Sequence, residues 1–359
     1  MASSSPTYLD GASNPPAGLE RPERIAIDTE FMRERTYFAQ LCLVQVAAGD
    51  EIYILDPIEC SDPAPAFGWL LRKSWDLHSG RQDIEVLYQA FGRMPTVLFD
   101  TQIAAALTGL APQIGYAALI SELCGRDLPK TQTRADWSRR PLTEKMLQYA
   151  ADDVRYLSEA ADILRRRLEE LSRLDWAEED SARLLDPALY ALDPADAVDR
   201  LKGARTLEGR PRRSAARLAA WREQRALDAD RPRQWILKDR VLLDIAQKDP
   251  RTTQELAGIE QMPAATVRRW GDALLQELAA AREDSDDYVA PTRPSEEDKA
   301  VLRSLQRIVA DTAKTLGIAA EVIAPKKELS ALTAGRRDLR VMEGWRRELI
   351  GDRLLDVLD

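Results

Sequence analysis

In the segment IAIDTEF (residues 25–31), Asp28 and Glu30 stand two positions apart among β-favouring neighbours. Strand alternation sends both carboxylates to one face, where they repel each other unless a cation lies between them. In LQYAADDVRYL (147–157), Tyr149 and Asp153 are four apart and project from one helix face, with Asp152 as a neighbouring acid. In LHSGRQDIEVLYQAFG (77–92), Asp83 opens a helical pattern whose Ile84, Leu87 and Tyr88 face inward. Each has a plainer reading: a loop start, a boundary pair, an acid complementing a helix dipole. If the acids met, their chemistry would be oxygen ligation of hard divalent cations.

The rest of the composition narrows the choice. His78 is the one histidine in the chain, so a histidine-rich metal site is excluded. Proton transfer and metal ligation fall mainly on Asp, Glu and Tyr. Cys42, Cys60 and Cys124 are odd in number and lack CxxC spacing, which speaks against a disulfide framework or zinc site and fits a reducing cytoplasm. No apolar run approaches the roughly 18 residues a membrane span requires. The opening stretch lacks the basic start and apolar core of a signal peptide, and its Ser, Pro and Gly predict a poorly ordered leader over residues 1–21. The net charge of −9 over 359 residues argues at first against a polyanion partner, but local patches decide such binding.

Several elements must position these acids. Residues 24–28, 41–48, 51–57 and 96–100 are short and mostly aliphatic or β-branched, which predicts strands. Gly49-Asp50 between the second and third predicts a tight hairpin, hence a mixed sheet in an α/β layout. From Gln102 the strand signal disappears. Thr143 is a suitable N-cap, and Leu147, Ala150, Val154, Leu157, Ala161, Leu164, Leu168 and Leu171 continue at helical spacing. Residues 177–209 read as a connector, 210–283 as a small helical bundle, 284–298 as an acidic Pro-containing linker, and 299–359 as a second helical domain.

The three acidic segments, in this order, resemble the exonuclease motifs of the DEDD superfamily, and Tyr149 places the third in the tyrosine subclass. FDTQIAAAL and KTQTRADWSRRPLTEKMLQYA resemble ribonuclease D closely, and LAAWREQRALDADRPRQWILKDRVLLDIA resembles an HRDC domain. The likeness implies a ribonuclease H-like mixed-sheet exonuclease domain over residues 22–176, followed by two small HRDC-like bundles. It selects Asp153 over Asp152, since the family pattern is Tyr-x-x-x-Asp. It implies that Asp28, Glu30, Asp83 and Asp153 hold two divalent ions, Mg²⁺ or Mn²⁺. Asp28 would bridge them, and Tyr149 would hold the attacking water. It implies substrate contacts from Thr29, Phe31 and His78. The reaction implied is 3′→5′ release of 5′-mononucleotides from RNA with a free 3′ end, tRNA precursors among them, by a monomer.

Two basic regions suit such a substrate. Lys130, Arg134, Arg139 and Arg140 surround Trp137, offering phosphate contacts and a stacking ring. Residues 205–283 carry 16 Lys and Arg against 12 Asp and Glu, a local excess of four in an acidic protein. Two rivals remain at this level. A DNA-directed exonuclease would use the same carboxylates, because the contact that reads a 2′-hydroxyl is not visible in the sequence. An inactive RNA-binding scaffold is disfavoured by the presence of all five motif residues.

Overall fold

The computed structural model describes residues 6–9, 16–129, 135–285 and 295–358. It forms two compact units, residues 1–32, 41–189 and 294–359 in one and residues 33–40 and 190–293 in the other. The first unit opens with β1 (Thr7–Leu9), α1 (Ala17–Glu20), β2 (Arg24–Met32), β3 (Gln40–Ala48) and β4 (Glu51–Leu55). It continues with α2 (Ala64–Leu70), β5 (Ser74–Leu77), α3 (Arg81–Phe91), β6 (Leu98–Asp100) and α4 (Thr101–Leu107). Then come α5 (Tyr116–Cys124), α6 (Glu144–Arg155), α7 (Leu157–Glu170) and α8 (Leu174–Ala182).

The strands make one mixed sheet in the order β1-β4-β3-β2-β5-β6. β3 and β4 pair antiparallel, and Gly49 turns between them at a φ of +64°, where a side chain would be strained. β1–β4, β2–β5 and β5–β6 are parallel. From Leu41 to Ala48 every residue of β3 is buried, which explains why apolar residues fill both faces, with Gln45 the one polar exception.

Three expectations need correction. The leader is ordered in part: Thr7–Leu9 pair with Tyr53–Leu55, and Leu19 of α1 is fully buried. Residues 1–5 and 10–15 lie outside the described residues. Composition averaged over this stretch conceals two leucines that each reach the core. β5 was not expected, because an acid at its centre lowers strand propensity. Asp76 is tolerated there because Arg165 donates to it at 2.5 Å. The helical stripe starting after Thr143 is two helices, broken at Tyr156 (φ −109°, ψ 2°). The spacing survives the break because Val154 and Leu157 enter the same core cluster as Ala26 and Ala47.

The second unit contains α9 (Gly209–Asp228), α10 (Arg233–Ile236), α11 (Asp239–Lys248), α12 (Thr253–Ala257) and α13 (Ala264–Glu283). Leu218, Trp221, Leu242, Ile245, Leu256, Leu274 and Leu278 fill its core. Residues 33–40 join it: the Tyr37 hydroxyl donates to Glu223 at 2.5 Å, and the Tyr37 and Phe38 N–H groups donate to Asp230.

Most of the expected linker lies outside the described residues, though α14 (Glu296–Leu316) begins within it behind a Ser295/Asp298 capping box. After it come α15 (Ala320–Ile323), α16 (Lys326–Thr333), α17 (Gly344–Arg346) and α18 (Asp352–Leu355). This segment, expected as a separate bundle, instead shares a core with the first unit. Leu305, Val309, Val341, Ile350 and Leu354 pack in one cluster with Leu107, Leu119, Leu164 and Leu168. An amphipathic pattern shows that a face is buried but not which partner covers it. Arg346 clamps the join with two bonds to Asp180, at 2.6 and 2.7 Å, and Trp345 stacks on Trp176 at 4.4 Å. Among the described residues, no helix is long and apolar enough to cross a membrane.

Candidate active site

β2, β5 and β6 run parallel, so their carboxyl ends share one edge of the sheet, the usual place for a ligand in an open α/β fold. β2 pairs with β5 through Arg24–Ala26 and then continues, carrying Asp28 and Glu30. The chain leaving β5 passes His78, Ser79 and Gly80 and enters α3, with Asp83 in its first turn. The chain leaving β6 turns at Asp100 into α4.

The fourth acid arrives on α6. Thr143 caps this helix by accepting the Met146 N–H at 3.3 Å, and Met146, Ala150, Ala151 and Val154 form its buried face. Ala151 packs in one cluster with Ala26 and Ala47, and side chains this small let a helix approach a sheet closely. One carboxylate oxygen from each of Asp28, Glu30 and Asp153 lies within 4.8 Å of the others. Asp152 has other partners, accepting from Gln148 at 2.8 Å and Arg155 at 3.0 Å. Helix geometry therefore separates the two adjacent acids that proximity in sequence could not.

Asp83 is buried and held by Thr29, whose hydroxyl donates to it at 2.5 Å. Burial comes first among the forces raising Asp28 well above the usual carboxylate range, followed by the charges of Asp83, Asp153 and Glu30. Glu30 is pushed up to about 8, again by burial first and then by Asp153 and Asp83. Burial raises Asp153 to about 7 against the opposing hydrogen bond from Tyr149. Burial likewise raises Asp83 to about 6, against the Thr29 bond. The Tyr149 hydroxyl is also raised by burial, then by Asp153, Glu30 and Asp28, so it stays protonated at neutral pH. These carboxylates cannot all ionise together without a positive partner. An all-oxygen donor set without His or Cys suits Mg²⁺ or Mn²⁺, which prefer carboxylates and water.

Known proteins give this geometry a context. Residues 12–169 match the family model of a 3′-5′ exonuclease, and residues 212–278 match that of an HRDC domain. Ribonuclease D of Xanthomonas oryzae pv. oryzae is 37% identical over 342 residues, covering 94% of each chain. The chain belongs to the ribonuclease D family. It is a 3′→5′ exoribonuclease. Ribonuclease D of Pseudomonas paraeruginosa is 39% identical over 347 residues, 93% of this chain and 92% of its own. The crystal structure of Escherichia coli RNase D, an exoribonuclease involved in structured RNA processing, superposes with a TM-score of 0.86. It is 29% identical and covers 95% of this chain and 94% of that one.

Against the ribonuclease D motifs, the expected substrate contacts fare unevenly. Thr29 is 5% exposed and its hydroxyl is spent on Asp83, so that hydroxyl positions an acid. His78 has both ring nitrogens engaged, with the Thr101 hydroxyl and the Ile114 carbonyl, each at 3.0 Å. Trp137 is 3% exposed within a cluster containing Cys42, Leu43 and Met146, so its ring is a core anchor and not a stacking platform. Phe31 is half-buried near the end of β2 and remains available. Lys130 and Arg134 lie outside the described residues. Arg140, in the same basic segment, is bound by two bonds of 2.6 Å to Asp56, and Arg139 pairs with Asp136 at 2.9 Å.

Asp100 has a role that its place in the sequence does not disclose. Its carboxylate accepts from the N–H groups of Ser79 and Gly80 before α3, and from Gln102 and Ile103 in α4. It thereby joins the loop that delivers Asp83 to the next strand-helix corner. The signal available was an Asp immediately before a helical run, an N-cap pattern. Nothing local showed that the same oxygens reach back 20 residues.

Proposed function

We propose that Asp28, Glu30, Asp83 and Asp153 hold two divalent cations and that the protein trims the 3′ ends of structured RNAs, tRNA precursors among them, releasing 5′-mononucleotides. The convergence of carboxylate oxygens from β2 and α6 within 4.8 Å supports this reading most strongly. When bound, Mg²⁺ or Mn²⁺ would supply a water acidified to react at neutral pH and charge compensation at the leaving oxygen. The chain's own groups do the rest. Asp28, Glu30 and Asp153 gather on one point, and Thr29 fixes the orientation of Asp83. Tyr149 keeps its proton and is hydrogen-bonded to Asp153. From there its hydroxyl can orient the water that attacks the terminal phosphodiester. The basic HRDC unit would hold the strand upstream of the cut. We assign the activity to a monomer in the cytoplasm.

The test is product sizing on a structured RNA with a single-stranded 3′ tail. Mononucleotides shed from the 3′ end with a stall at the duplex are expected, with full loss in chelator and recovery with Mg²⁺ or Mn²⁺. Asp28→Asn should abolish cleavage and leave RNA affinity within a few-fold. Wild-type cleavage by that variant, or cleavage in excess chelator, would end the proposal.

A further inference from the structure

In the second unit, a cavity of about 560 Å³ opens among α9, α10 and α13, lined by Arg225, Asp228, Arg231, Trp235, Arg269 and Trp270. A smaller one of about 380 Å³ adjoins it along α9, sharing Arg225 and Asp228 and adding Trp221. The chemistry of the lining is specific. Trp235 is 57% exposed, unusual for an indole, and the Arg231 guanidinium stands 5.8 Å from its ring centre. Arg269 stands 4.8 Å from the ring of Trp270, which in turn meets Trp221 edge-on at 5.7 Å. Elsewhere in this unit many arginines are paired with acids, as Arg212 with Asp199, Arg222 with Asp239 and Arg282 with Asp249. Among the described residues, Arg225, Arg231 and Arg269 have no such partner. Asp228, the one acid lining the larger cavity, already accepts from Gln224 at 2.8 Å, and Glu277 lines the smaller one.

We propose that this cavity is a subsite for single-stranded RNA, with one unstacked base on the open face of Trp235 and its flanking phosphates on Arg231 and Arg269. Arg225 would lead the strand toward the adjoining cavity. The proposal rests on the reading of RNA as substrate and adds where an unpaired stretch is gripped. Three observations favour a nucleotide over an acidic peptide. An exposed indole offers a π-face that a base can use and a carboxylate cannot. The cations sit beside rings, where stacking and phosphate contact can occur together. The volume also lies within the range of sites that enclose a small ligand. A base can enter such a cavity only when unpaired, which distinguishes this site from one reading a duplex by shape.

The experiment is titration of the full-length protein with an unstructured 12-nucleotide RNA in chelator, followed by tryptophan fluorescence and anisotropy. Trp235→Ala should raise Kd by about 5- to 100-fold, the usual loss for one stacked base. Trp235→Phe should recover most of that. The Arg231→Ala/Arg269→Ala double variant should flatten the slope of log Kd against log salt by about 1.4, two phosphates at 0.7 each. An unchanged Kd in Trp235→Ala with an unchanged slope in the double variant would overturn the subsite. So would a polyglutamate peptide that displaced the RNA at equal concentration. Cleavage of RNA by the parent protein with Mg²⁺ is scored separately. A parent that cuts while the variants bind normally refutes the subsite alone, and one that binds through Trp235 without cutting refutes the active-site reading alone.

Discussion

Loading the carboxylate site with metal must expel protons, and the number follows from the structure. With Glu30 at about 8, Asp153 at about 7, Asp83 at about 6 and Asp28 well above the usual range, the four acids titrate as one set. At pH 6 Glu30, Asp153 and Asp83 together hold about two and a half protons, while at pH 9 they hold almost none. Cation binding needs the ionised forms, so these three acids should release about two to three protons at pH 6 and almost none at pH 9. Apparent affinity for Mg²⁺ should therefore rise steeply between those limits. Stability follows the same linkage. All four acids are raised above their unfolded values, so the folded metal-free protein retains protons that the unfolded chain gives up above about pH 4.5. That contribution is complete below about pH 4.5 and drains away as pH climbs through the folded values of about 6 to 8. For Glu30 alone it amounts to at most about 5 kcal/mol. Bound metal reverses the trend, so the gap in Tm between loaded and metal-free protein should widen with pH. Calorimetric titration with Mg²⁺ in two buffers of different ionisation heat counts the protons at each pH. Heats independent of buffer at pH 6 would show that the acids are ionised without a cation and that their convergence has been misread.

Three further substitutions probe separate parts of the argument. Tyr149→Phe should lower kcat by about 100-fold or more with KM nearly unchanged, since it removes only the hydroxyl that orients water; steady-state kinetics on a short RNA would show this. Asp100→Ala leaves four backbone N–H groups without their acceptor and should cost about 3 kcal/mol in a denaturant melt. Asp100→Asn should restore part of that loss, because it keeps one oxygen. Arg346→Ala strands Asp180 in the interior and should cost about 3–5 kcal/mol, whereas the Arg346→Met/Asp180→Leu pair should cost much less. Equal melts for the single and double variants would mean that packing, not the unpaired charge, governs this join.

Much of the site could be read before any fold was known, because short-range geometry is local. Two acids two apart in IAIDTEF share a strand face, and a Tyr and an Asp four apart share a helix face, whatever surrounds them. The hairpin at Gly49, the Thr143 cap and the helical periodicity of the second unit were legible for the same reason. Other features depend on long-range partners. Asp152 and Asp153 differ only in what each faces once α6 lies against Ala26 and Ala47. Trp137 among its arginines reads as a stacking platform until Arg140 is found paired with Asp56 and the ring buried. His78 and Thr29 reach outward in the sequence and inward in the fold. The C-terminal helices carry an apolar stripe that any partner could cover, and tertiary packing assigned them to the core of the exonuclease unit. Residue spacing thus determined which side chains could act together, since backbone periodicity is set within a few residues. Which ones do meet was decided by burial and charge pairing between distant segments, as where Arg346 meets Asp180 across 166 residues, which no local pattern encodes.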